Sequence, residues 1–112
     1  MKIKLEASFR REFKYLRKKY PSLPKDLQLL GENLQLNPKQ GAALGMDCYK
    51  IRMSITSKNA GKSGGARVIT CVKIVNDTIH MLTIYDKSET ESINDKFLKL
   101  LVEAIELDKY DE

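Results

Sequence analysis

Lys50 and Arg52 stand two residues apart in YKIRMSIT (49–56), where Tyr49, Ile51, Met53 and Ile55 supply the alternate, apolar positions. A period of two is that of a half-buried strand, so Lys50, Arg52, Ser54 and Thr56 leave the chain on one face. Arg67 opens the next apolar run, and antiparallel pairing of the two runs would carry it to the same surface. Lys87 follows the last such run and would enter from another edge. Cations gathered in this way repel one another unless an anion is bound, and a phosphate backbone is the natural guest. A basic outer sheet face without any ligand fits these residues equally well. Lys58 precedes AGKSGG (60–65) and Lys62 lies within it. That loop is either an arm presenting both lysines to a polyanion or a hairpin connection loosened by Gly61, Gly64 and Gly65. It is not a nucleotide-binding loop, because Thr56 stands where the first glycine of that motif belongs and a strand follows.

The elements that must position these residues follow from periodicity. KIKLE (2–6) alternates as a short strand. Ser8 suits an N-cap for a helix with Phe9, Phe13 and Leu16 on one side, ending near Tyr20-Pro21. Pro24 suits the first turn of a second helix, in which Leu23, Leu27, Leu30 and Leu34 recur until Asn37-Pro38 stops it. Residues 66–75 and 78–85 are apolar on both faces and read as central strands, with Asn76-Asp77 as a two-residue hairpin turn. Ser88 and Glu91 suggest a capping box for a final helix with Ile93, Phe97, Leu100, Leu101, Ala104 and Ile105 on its apolar side. The expected order is β-α-α-β-β-β-α, an α+β fold with a helical hairpin and a C-terminal helix packed on a mainly antiparallel sheet.

The 112 residues fit one domain, spanning 1–112, and the 42 % hydrophobic and 31 % charged fractions are those of a globular chain. The net charge of +5 is unevenly spread. Residues 2–19 and 50–67 are basic, whereas the chain from Asp86 to Asp108, Asp111 and Glu112 is acidic. Two cysteines, Cys48 and Cys71, and one histidine, His80, argue against a disulfide framework or a structural zinc site. Both cysteines are expected as small buried hydrophobes, His80 as a packed strand residue, and Phe9, Phe13 and Phe97 as core. No carboxylate or histidine cluster has metal-ligand spacing, so neither a metal nor any other cofactor is expected. No leader or membrane-spanning run is visible, which makes a cytoplasmic location the expectation.

DCYKIR (47–52), GKSGGARVI (61–69) and LTIYDKSE (82–89), with LQLNPKQG (34–41) closing the second helix, resemble the RelE toxin superfamily, especially its HigB branch. The resemblance spans residues 34–95 by motif and most of the chain by element order. It implies a toxin of a type II toxin–antitoxin pair that cleaves mRNA on the ribosome as a metal-independent endoribonuclease, with a cognate antitoxin, the ribosome and mRNA as partners. The implied reaction is attack of an RNA 2′-hydroxyl on the adjacent phosphate, leaving a cyclic phosphate and a free 5′-hydroxyl. The matching positions offer no Glu-His pair, so cations take the roles. Lys50 is the base, Arg67 the phosphate clamp, Arg52 the charge stabiliser and Lys87 the leaving-group candidate. The family tyrosine at the start of the last helix is missing, since this stretch reads Ser92-Ile93-Asn94. Tyr85 either substitutes for it or is a sheet residue with a satisfied hydroxyl. Two other functions remain open: a ParE-like gyrase-inhibiting toxin, and a non-catalytic, antitoxin-regulated RNA- or ribosome-binding module.

Overall fold

The computed structural model describes residues 1–59 and 61–108, the last three of these by backbone alone. Asp111 and Glu112 of the acidic tail lie outside the described residues. The elements are β1 (Lys2–Leu5), α1 (Ala7–Lys19), α2 (Leu23–Leu36), β2 (Ala42–Gly45), β3 (Cys48–Met53), β4 (Ala66–Lys73), β5 (Thr78–Asp86) and α3 (Asp95–Asp108). They form one five-stranded sheet in the order β1-β5-β4-β3-β2. Among the described residues only the β1–β5 pair is parallel. The expected α+β order holds, with β2 as an additional short edge strand.

The sheet separates two apolar layers. On one face α1 and α2 bury Phe9, Leu16, Leu23, Leu30 and Leu34 against Ile51, Met53, Val68, Ile79, Met81 and Ile84. On the other, α3 presses Leu98, Leu101 and Ile105 onto Cys48, Ile69, Cys71, Leu82 and Tyr85. β4 and β5 are therefore covered on both sides, as their unbroken apolar runs require. The β4–β5 register slips between Ile69 and Thr70, which leaves Leu82 as an extra residue on β5. That bulge lets Leu82 and Tyr85, an odd number of residues apart, both reach the α3 layer.

Four local expectations are corrected. Ser8 is not the N-cap of α1; Glu6 holds that position, and the Ser8 hydroxyl donates instead to the Thr83 hydroxyl at 2.9 Å. α3 does not begin at Ser88. It begins at Asp95, where the Asn94 carboxamide oxygen accepts the Phe97 N–H at 2.8 Å. Its buried side is Leu98, Leu101 and Ile105, while Phe97, Leu100 and Ala104 face outward. The β4–β5 connection is not a two-residue turn but a 3₁₀ turn, Ile74–Asn76, followed by left-handed Asp77. Finally, β3 ends at Met53, so Ser54 and Thr56 lie beyond the strand.

Candidate functional site

The β3–β4 register places Arg52 directly opposite Arg67, and the β4–β5 register places Arg67 opposite Tyr85. Directly opposed residues share a face, so Arg52, Arg67 and Tyr85 form a row across the sheet, with Lys50 one step away opposite Ile69. The row is not uniform. Arg52 is exposed and Lys50 half-buried, whereas Arg67 is 5 % exposed and Tyr85 8 %.

Burial gives Arg67 a local task. One guanidinium nitrogen donates to the Lys62 carbonyl at 2.9 Å and the Ala66 carbonyl at 3.3 Å, and the other donates to the Ser63 carbonyl at 3.1 Å. The planar fork thus bridges successive carbonyls of the glycine-rich loop, as a lysine ammonium on a flexible stem would not. Two further contacts tie that loop down. The Lys87 N–H donates to the Gly65 carbonyl at 3.0 Å, and a Cβ on Gly65 would run into the Met53 carbonyl. The loop over residues 61–65 is therefore fastened to β3, β4 and the end of β5 rather than loose.

The fastening decides where Lys62 goes. A depression of about 520 Å³ at the β3 edge is lined by Gln40, Gly41, Ala42, Lys50, Ile51, Arg52 and Lys62. Among the described residues, three cations and no carboxylate line it. Gly41, at φ +100°, lets the chain turn into β2 there, because a Cβ would meet the Lys50 carbonyl. β2 pairs with β3 only as far as Lys50, which leaves the edge at Arg52 open to the depression.

Lys58 goes elsewhere. It ends the 3₁₀ turn Thr56–Lys58, and its ammonium sits 2.7 Å from a carboxylate oxygen of Asp86, whose side chain is fully buried. The same carboxylate accepts the Tyr20 hydroxyl at 2.6 Å, the Ser88 hydroxyl at 2.8 Å and the Ser88 N–H at 3.0 Å. Burial by itself would push the Asp86 carboxyl up, but the hydrogen bonds from Lys58, Tyr20 and Ser88 together hold it well below the usual carboxylate range. The expectation that Lys58 stands on a mobile arm is corrected: it is spent on an internal ion pair.

Lys87 and Tyr85 also lie apart from the depression. The Lys87 ammonium donates to the Glu91 carbonyl at 3.0 Å. The Tyr85 hydroxyl is buried with no hydrogen-bond partner among the described residues, so it is a sheet residue whose hydroxyl is not satisfied. Its pKa is raised by burial, against the opposing field of Arg67. Of the sequence-predicted residues, the structure gathers Lys50, Arg52 and Lys62, places Arg67 behind them, and leaves Lys58, Lys87 and Tyr85 outside. Gln40, which sequence reasoning missed, lines the depression because the turn at Gly41 returns the chain to the β3 edge.

Cys48 and Cys71 face each other across β3 and β4, both buried; the hydrogen bond between them, followed by burial, raises the Cys48 thiol pKa. His80 is packed as expected, its Nδ1 lying 2.9 Å from the Glu6 carboxylate. Among the described residues no group of three or more His, Cys, Asp or Glu side chains is placed to hold a metal, and no helix is long and apolar enough to cross a membrane.

No protein-family model matches the chain. Among solved structures it is similar to the Escherichia coli toxin RelE, an arginine double mutant in the free state, with a TM-score of 0.58 over 80 % of this chain and 86 % of that one. The two sequences are 17 % identical over the match. The shared property at that distance is the fold, which is RelE-like.

Proposed function

We propose that the protein is the toxin of a type II toxin–antitoxin pair, acting as a metal-independent endoribonuclease on mRNA in the ribosome. The observation that carries this reading is the depression shared by Lys50, Arg52 and Lys62, with no carboxylate in its lining among the described residues, set on a RelE-like fold. A single-stranded RNA phosphate fits there by charge, and cations fixed on a sheet edge stabilise the charge that grows as the phosphate is attacked. In the proposed step Lys50 acts as the base: the proton of the 2′-hydroxyl passes to its side-chain nitrogen as the 2′-oxygen bonds to phosphorus. Arg52 and Lys62 face the charged phosphorane. The bond from phosphorus to the 5′-oxygen then breaks, and the departing oxygen takes its proton from water, which the open depression admits. Arg67, its fork engaged by loop carbonyls, supports this arrangement from behind.

The test is to map RNA ends after supplying the purified protein to ribosomes carrying a defined message. Cuts ending in a cyclic phosphate that disappear with Lys50→Ala support the reading. Gyrase-linked DNA breaks would instead favour a ParE-like toxin. Binding to ribosomes without cuts would favour the non-catalytic module, a reading to which the inaccessible Tyr85 hydroxyl lends weight.

A further inference from the structure

The cationic depression does not end at Arg52. Arg52, Lys62 and Gln40 also form one wall of a second hollow, of about 210 Å³, whose other walls are Leu29, Leu30 and Asn33 of α2 and Met53 and Ser54 at the end of β3. Three shared residues set the two spaces side by side. The two ends of this pair differ in charge. The Asp26 carboxylate lines the second hollow, 6 % exposed, and is held there by the Ser22 hydroxyl, the Thr56 N–H and the Thr56 hydroxyl. A fixed carboxylate repels phosphate, which disfavours continuation of a charged backbone from Lys50 and Arg52 into this end.

What the second hollow offers suits the uncharged part of a nucleotide. Leu29 is 52 % exposed, an apolar surface beside buried Leu30 on the same helix. Asn33 is exposed, and its carboxamide makes no hydrogen bond among the described residues, which leaves both donor and acceptor for a ligand. Gln40 donates its amide to the Asn37 carbonyl at 3.2 Å, which fixes its orientation and leaves its carbonyl oxygen as an acceptor. Single-stranded RNA is read by laying unstacked bases on apolar or aromatic surfaces and hydrogen-bonding their edges.

We infer that the hollow between α2 and the end of β3 is a nucleobase subsite. In it Leu29 covers the base face, and Asn33 and Gln40 read the base edge, next to a phosphate held by Lys50, Arg52 and Lys62. The inference rests on the phosphate reading of the basic end, and it makes Asn33 and Gln40 the residues that set sequence preference.

The experiment measures fluorescence anisotropy with short 2′-O-methyl oligonucleotides of A, C or U, which cannot be cleaved, beside an abasic ribose-phosphate chain of equal length. The protein is expected to bind at least one base-bearing chain about tenfold more tightly than the abasic one, the scale of one well-placed base contact. Leu29→Ala should bring base-bearing chains down to the abasic level. Asn33→Ala and Gln40→Ala should flatten the spread between A, C and U. Leu29→Ala and Asn33→Ala, which lie outside the cationic depression, should leave abasic binding unchanged. Leu29 and Asn33 are exposed, so their loss should not unfold the chain, and circular dichroism of each variant verifies this. Equal binding of abasic and base-bearing chains, or variants that keep the parent's preferences, would overturn the subsite. If Lys50→Ala and Arg52→Ala leave binding of every chain unaltered, the phosphate reading itself fails, and that outcome is distinct from the others.

Discussion

Lys58 and Lys62 lie four residues apart in the same basic stretch, and the fold treats them in opposite ways. The turn at 56–58 is drawn inward, its lysine locked onto buried Asp86. The loop at 61–65 is pinned by its backbone, through Arg67, so that its lysine side chain is left for the depression. One region consumes its charge to hold the molecule together; the other is held together so that its charge stays available. A run of cations in a sequence therefore says little about binding until the internal carboxylates have claimed their share.

The difference can be broken or sharpened by measurement. Lys58→Met should cost the most stability, about 3 kcal/mol, because it leaves Asp86 buried without its cation. That is the lower end for such a pair, since Lys58 keeps some contact with water, and denaturant unfolding reads it. RNA affinity of the folded fraction should be unchanged, and a large loss of affinity at unaltered stability would erase the contrast.

Acid should reach the same anchor. The folded-state pKa of Asp86 is depressed below its ordinary value of 3.8, so its contribution is complete above that pH and is lost as the pH falls further. Asp86→Asn should be less stable at neutral pH and show a shallower acid limb in unfolding followed from pH 5 to 2. A parallel limb would mean that the carboxylate does not titrate with unfolding.

For the outer loop, Arg67→Lys keeps the charge and loses the fork. Amide exchange over residues 61–65 should speed up by about tenfold, equivalent to the ~1.4 kcal/mol of a lost hydrogen bond. Unchanged exchange would show that the loop is held by its own packing. The smallest effect is expected from Lys62→Ala. Its stability should stay within about 0.5 kcal/mol of the parent, as for other exposed positions. The salt dependence of its binding to single-stranded RNA should flatten by roughly 0.7 in log–log slope, the value for one phosphate contact.

The sequence displayed what depends on near neighbours. The period of two at 49–53, the leucine spacing of α2 and the doubly apolar β4 and β5 all reflect burial patterns that repeat along the chain, and each appears in the structure. What stayed hidden depends on partners far away in sequence. Ser8 looks like a cap, but Thr83, 75 positions on, takes its hydroxyl. Lys58 meets Asp86 across 28 positions. β2 carries no clear alternation, and its turn to β3 places Met46 and Asp47 at φ 56° and 61°, a conformation that the pair Met-Asp does not advertise. Of the candidate site, the residue types were legible, but their division into exposed and consumed cations was not.

The short β2 has a consequence for how copies of the protein meet. Beyond Lys50, β3 has no neighbouring strand on its outer side among the described residues, and such an edge offers unpaired backbone groups to any extended chain, including another molecule of the same protein. Lys50 and Arg52 stand at the start of this edge, and like charges there repel a second copy brought alongside. The cations proposed to meet the substrate would thus also oppose pairing of two copies through their sheets. Neutralising both would remove a ligand contact and a safeguard against self-association together.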